Sequence, residues 1–405
     1  MRKFFAKMHL WLSIPFGIII TIVCLTGAIL VFETEILELC YPSRYFVREI
    51  KGEPLSPAFL IYSAQQQLPD SVKINGIRIS SDPRRTYQLV LPGKKAVCFI
   101  DPYTAEVTGI DDGQGFFMQT MRLHRWLLDS YKRDGSFSLG KAVVGYATLV
   151  FVVILVSGLA VWFPCNRKML KNRLKIKTRA GWHRFFYDLH VSGGFYAALF
   201  LLALALTGLT WSFGWYRDAF YAVFGGTTGR TEVHVPISAG GRSMGQEGKT
   251  GRGVEKKDGD RSFSGRESRV AVKETGLSAG KRKESQKPDY IRWAEVLSVL
   301  QERYTSFNSI TIQDGSATVA TADYGNTRGS DRYLFDPASG QITDVQLYKD
   351  QPKSGKIRGW IYSVHTGTWG GMTTRILSCL ASLLGAVFAV TGYYFRIKRK
   401  IRKMK

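Results

Sequence analysis

The chain has 405 residues, of which 45% are hydrophobic and 22% charged; 56 lysines and arginines against 32 acids leave a net charge of +24. The basic excess clusters beside apolar stretches, where it reports membrane topology, so no nucleic-acid partner is implied. Four windows without a single charge, Leu10–Phe32, Ala142–Phe163, Val191–Tyr216 and Ile376–Phe395, each reach the roughly 20 residues that span a hydrocarbon core of about 30 Å, which excludes an ordinary soluble protein.

In chain order, residues 1–9 form a basic N-terminus (Arg2, Lys3, Lys7), and 10–32 form the first predicted span. That span reads as an uncleaved signal-anchor: its apolar run exceeds a signal-peptide core, and Phe32-Glu33-Thr34-Glu35 is no small-residue cleavage site. Residues 33–141 are a first extramembrane region. A helical stretch near Ala58–Gln67 leads to Val97–Thr108, which reads as a strand, an Asp101-Pro102 turn and a second strand. The second span, 142–163, is followed by the loop 164–184 with Arg167, Lys168, Lys171, Arg173, Lys175, Lys177, Arg179 and Arg184 and no acid. The third span falls in 185–216. A second extramembrane region, 217–375, has a helical stretch at Trp293–Tyr304, and Tyr333–Thr343 repeats the hairpin around Asp336-Pro337. Within it, 225–288 is rich in Gly, Ser, Lys, Arg and Glu with Phe263 as its one aromatic, so a disordered insertion is expected. The fourth span is 376–395, and 396–405 is a basic tail. The positive-inside rule puts all three basic segments in the cytoplasm and both large regions outside. Of the five cysteines, Cys24 and Cys379 fall in spans and Cys165 on the basic side; Cys40 and Cys98 share the outer compartment, and spacing leaves their pairing open.

An internal repeat organises the chain. Phe4-Phe5-Ala6-Lys7-Met8-His9 aligns with Phe185-Phe186-Tyr187-Asp188-Leu189-His190, and 17 residues beyond each histidine stand Thr26-Gly27 and Thr207-Gly208. Ser157-Gly158 and Thr391-Gly392 mark corresponding places in the second and fourth spans. The expected fold class is therefore membrane α-helical: four transmembrane helices in two pseudo-twofold-related halves, each with an outer α+β domain, about an axis along the membrane normal.

Five of the six histidines lie at span borders. His9 and His190 open the first and third spans on the basic side; His124 and His365 precede the second and fourth on the outer side. Singly, each reads as an amphipathic interface residue. Their matched placement pairs His9 with His190 and His124 with His365, and two facing imidazoles suit a six-coordinate haem iron held between helices. His183, two turns before His190, is an additional or substitute ligand, whereas His234 falls in the insertion. Gly193 and Gly194 either make room for a macrocycle or pack helices closely. Zinc prefers four, often closely spaced, ligands, and neither HExxH nor CxxC occurs. No triad, phosphate loop or dinucleotide fingerprint is visible, so an electron donor would be a quinol or a separate cytoplasmic reductase. Arg122, Arg125 and Arg375 are candidates for pairing with porphyrin propionates or for interface anchoring. His9 and Gly27 lie five turns apart, about 27 Å of rise, and Trp126, Phe195 and Tyr196 are the aromatics expected to shorten the path.

His9 with Thr26-Gly27, Leu123-His124-Arg125, Asp188-Leu189-His190 with Thr207-Gly208, and Val364-His365-Thr366-Gly367 together resemble the PepSY-associated transmembrane family, and the hairpins at Asp101 and Asp336 look like pieces of PepSY domains. The resemblance spans nearly the whole chain outside 225–288. It implies an iron-regulated protein of the bacterial inner membrane with PepSY-like periplasmic domains, and a haem-containing reductase of a ferric siderophore or other ferric chelate, using haem b, with two haems expected. The alternatives are a non-enzymatic, membrane-anchored PepSY module that binds a peptidase or envelope partner, and a transporter; the charge-free spans argue against the latter.

Overall fold

A computed structural model describes residues 1–92, 96–129, 137–164, 166–226 and 290–404. Cys165, His234 and the expected insertion beyond Gly226 lie outside the described residues.

Among the described residues, four helices are long and apolar enough to cross a membrane: Arg2–Val31, Leu139–Trp162, Trp182–Ser212 and Thr368–Arg402, here spans 1 to 4. They extend past the charge-free windows because their basic flanks, such as Arg2 to Lys7 and Arg396 to Arg402, continue the helices. Span 1 packs chiefly against spans 2 and 4, and span 3 against the same two. Each is apolar on all sides, with about a third or less of its most apolar window buried in the protein (28–33%); Ile18, Leu25 and Leu199 point outward, as lipid-facing residues should. Two apolar clusters fill the bundle. One gathers Ile20, Cys24, Ile154 and Ala386, the other Leu155, Ala197, Leu201 and Ala381, and Phe151 packs against both.

The two extramembrane regions each contribute one helix packed on the sheet and four strands, and all eight strands join one antiparallel sheet. From the first region come β1 (Gly76–Ser80), β2 (Tyr87–Val90), β3 (Val97–Ile100) and β4 (Val107–Asp111); from the second come β5 (Ser309–Gln313), β6 (Ser316–Ala320), β7 (Ser330–Phe335) and β8 (Ile342–Gln346). Their order is β4-β3-β2-β1-β5-β6-β7-β8. The halves meet at β1 and β5, where Gly76 faces Gln313 and Ser80 faces Ser309. A glycine is needed at this seam: a Cβ on Gly76 would stand 2.6 Å from the Ile312 carbonyl oxygen. Alternation along β1 buries Ile77 and Ile79 and exposes Arg78, so one face of the sheet receives the helices α1 (Pro57–Gln67) and α2 (Tyr290–Arg303) through Leu60, Ile61, Trp293 and Leu300.

The two Asp-Pro hairpins are built alike. Asp101 accepts the Tyr103 amide (2.8 Å) and Asp336 the Ala338 amide (3.2 Å); the ladder shifts register one residue before each turn. A left-handed residue closes both, Ala105 at φ 57° and Gly340 at φ 73°. Cys40 is exposed, Cys98 is buried in β3, and both are free thiols.

Candidate functional site

The four border histidines converge as two facing pairs. His9 of span 1 and His190 of span 3 stand with ring centroids 6.3 Å apart at 87°. His124 and His365 stand 6.2 Å apart at 56°. The second pair sits in the last turns of two short helices that lead into the sheet-side ends of spans 2 and 4, Phe116–Trp126 and Lys353–Thr366. Both helices stop in left-handed backbone just beyond the histidine, at Leu127 and Leu128 in the first and at Gly367 in the second. Two consecutive leucines at positive φ are costly, and they follow Trp126 directly in the chain.

Each histidine is gripped by a hydroxyl–glycine pair on a neighbouring span. His9 Nδ1 donates to the Ile154 carbonyl (3.0 Å), with Ser157 Oγ 3.4 Å away. His124 Nδ1 donates to the Val23 carbonyl (3.0 Å) beside Thr26 Oγ1 (3.1 Å). His365 Nδ1 donates to the Leu204 carbonyl (3.0 Å) beside Thr207 Oγ1 (3.2 Å). His190 Nδ1 donates to Thr391 Oγ1 (2.9 Å), whose own proton goes to Phe388 O. The following glycine leaves space for the ring: a Cβ on Gly27, Gly158 or Gly208 would come within 3.0–3.1 Å of the Cε1 of His124, His9 or His365, and one on Gly392 within 4.0 Å of His190. Thr26-Gly27, Ser157-Gly158, Thr207-Gly208 and Thr391-Gly392 thus position the imidazoles. The sequence marked these dipeptides as signs of a repeat without revealing that task.

This arrangement fixes the tautomer. A carbonyl oxygen only accepts, so in His9, His124 and His365 the proton must sit on Nδ1, and in His190 it does so while Thr391 gives its own proton to Phe388; the lone pair of Nε2 remains available. None of the four Nε2 atoms has a hydrogen-bond partner among the described residues. Burial pushes His124 and His365 down to about 4, so both rings stay neutral. A neutral imidazole oriented through Nδ1 is the form in which histidine binds a metal. No cluster of three or more His, Cys, Asp or Glu side chains able to hold a metal ion occurs among the described residues.

Each pair opens on a cavity. The sheet-side cavity, about 340 Å³, is lined by His124, His365, Trp126, Arg125, Lys141 and Arg328 among others. The cavity at the basic end, about 630 Å³, contains His9, His190, Trp162, Phe195, Arg173 and Gly194. Both volumes lie within the roughly 300–1,000 Å³ of small-molecule and cofactor sites. Ile20 and Phe151 line both.

Several expected participants are placed elsewhere. His183 is exposed, with its ring against Tyr394 and Phe395 (6.1 and 5.6 Å), and it lines neither cavity. Two helical turns, about 10 Å of rise, separate it from His190, and Leu189–Gly193 continues that helix as a π-turn. Asp188 anchors this turn, accepting the Lys177 amide (3.1 Å) and pairing with Arg184 (3.0 Å). Gly194 faces the cavity with open space beside it, whereas Gly193 packs against Leu189 and Phe388. Arg375 binds Glu35 and the Val31 carbonyl and serves as an anchor, and Arg122 bonds Gln119. Of the three arginines singled out, Arg125 alone lines a cavity. Trp126 and Phe195 each line one cavity, and Tyr196 is exposed and donates to Leu174 O.

Comparison with known families accords with this pattern of spans and borders. Residues 6–399 match the family model described as the PepSY-associated TM region, and the chain belongs to that family. None of the curated proteins compared with it matches.

Proposed function

We propose that this member of the PepSY-associated TM family is a haem-containing electron-transfer protein of the bacterial inner membrane that reduces a ferric siderophore or other ferric chelate in the periplasm. The positive-inside rule supports cytoplasmic termini and a cytoplasmic loop 164–184, and the repeated grips support halves related by a pseudo-twofold axis along the membrane normal.

The observation that carries the reading is the spacing of the histidine pairs. Two imidazoles bound to one metal at about 2 Å each place their ring centroids about 6 Å apart; the two pairs stand at 6.3 and 6.2 Å. The residues present therefore fit a bis-histidine haem b in each layer, held by His9 with His190 and by His124 with His365. When bound, such a group supplies one-electron chemistry at the iron. The chain's own residues orient the Nε2 lone pairs through Nδ1, leave glycine space beside each ring, and exclude water with the apolar walls of the spans. Arg125, Lys141 and Arg328 give the sheet-side cavity cationic groups suited to propionates and to an anionic ferric chelate. Reduction of the chelated iron to Fe(II) weakens its hard-oxygen coordination and lets the metal leave. A quinol or a cytoplasmic reductase supplies the electron.

A visible spectrum of the purified protein, oxidised and dithionite-reduced, with pyridine haemochrome quantification, tests the reading. Sharp low-spin bands with about two haems per chain, one per histidine pair, support it. A protein that stays colourless when produced with ample haem rejects it in favour of the anchored binding module.

A further inference from the structure

We propose that Phe151 is the bridging residue through which the two histidine layers exchange electrons; this rests on the di-haem reading above. The layers lie at opposite ends of the bundle: span 1 carries His9 near its start and Gly27, beside His124, 18 residues later, a rise of about 27 Å. Electron tunnelling decays steeply with the distance between cofactor edges, so what lies between the cavities decides whether the layers communicate.

The cavities meet at shared side chains. Ile20 and Phe151 line both, and of these only Phe151 has a π system. It lies on span 2 and packs against both apolar clusters of the bundle, that of Ile20 and Ile154 and that of Leu155 and Leu201. Its cluster neighbours are hydrocarbon side chains and one buried thiol, Cys24. The aromatics nearer the histidines, Trp126 and Phe195, each reach one cavity only. With haem held in both layers, the step Phe151 would serve is the transfer of one electron from a ferrous group held by His9 and His190 to a ferric group held by His124 and His365, one oxidised as the other is reduced, with no bond formed or broken.

The test uses the haem-loaded full-length protein in membrane vesicles, with an impermeant reductant supplied to the face that carries the basic tail. Stopped-flow absorbance follows the two haems, and haem content and midpoint potentials are measured alongside. In the wild type both haems should be reduced in one phase. In Phe151→Ala the second haem should lag several-fold at unchanged haem content and potentials, while Phe151→Trp should restore the single phase. Val150→Ala, an adjacent change in a residue that lines neither cavity, should leave it intact. Phe151→Leu keeps most of the bulk without the ring and should lag as alanine does, should alanine lower haem content. A purely structural role would move haem content or potentials and not the lag. A haem-replete Phe151→Ala or Phe151→Leu that reduces both haems at the wild-type rate overturns the inference alone. A wild-type protein that binds no haem overturns the di-haem reading and this inference with it.

Discussion

Gly208 lies so close to the ring of His365 that a methyl group on its Cα would stand 3.0 Å from Cε1. Gly27 and Gly158 meet His124 and His9 at 3.1 Å, whereas Gly392 leaves 4.0 Å before His190. These distances rank four otherwise similar substitutions. Gly27→Ala, Gly158→Ala and Gly208→Ala should each displace a ring at a cost of about 1–3 kcal/mol, lowering haem affinity roughly tenfold to a hundredfold. Gly392→Ala should be close to neutral, because 4.0 Å is ordinary contact. Haem retention during competition with apomyoglobin measures all four, and equal losses at all four sites would contradict the ranking.

The pairing makes a separate prediction. Replacing His124 and His365 together by alanine should remove one haem and leave the low-spin spectrum of the other; replacing His9 and His190 should do the converse. His183→Ala should change neither, since that ring lies against Tyr394 and Phe395 outside both cavities. Pyridine haemochrome counts decide it, and loss of both haems in a folded double variant would mean a single shared site.

Thiol labelling tests the orientation. Cys40 is exposed in the first extramembrane region, while burial in β3 pushes the Cys98 thiol up to about 11. At pH 8 Cys98 should therefore carry almost no thiolate and resist a maleimide until the sheet unfolds. Cys40 should react at once with an impermeant maleimide applied to the outside of spheroplasts. Labelling of Cys40 only after the membrane is opened would reverse the proposed topology.

The sheet seam predicts a stability effect remote from the cavities. Gly76→Ala would press a methyl group against the Ile312 carbonyl at 2.6 Å, forcing β1 and β5 apart at a cost of about 1–3 kcal/mol. Thermal unfolding followed by proteolysis should show a lower midpoint for the variant. An unchanged midpoint would mean that the seam yields without penalty.

The spans and the histidine pairs were legible because each rests on a one-dimensional signal, a charge-free length in one case and a repeat register in the other. What holds the histidines was not. Thr26-Gly27 shares a span with His9 yet grips His124, and Ser157-Gly158 grips His9; which helix faces which is a tertiary fact that spacing along one helix does not carry. His183 lies two turns, about 10 Å of rise, from His190, and spacing along one helix does not say that its ring turns to Tyr394 and Phe395. The hairpins at Asp101 and Asp336 were visible from their turn residues, but strand periodicity says which face is buried and nothing about which strand lies alongside. The pairing of β1 with β5 therefore emerged only in three dimensions.

That pairing bears on how the protein is made. During synthesis the first half emerges before β5 exists, and until then β1 presents an open edge with Ile77 and Ile79 beside it. Exposed edges of this kind recruit strands from other chains, and partly made proteins are most vulnerable while they wait. The second half of the polypeptide thus acts as the cap that ends a sticky interval, and the time taken to translate the residues between β4 and β5 sets how long that interval lasts.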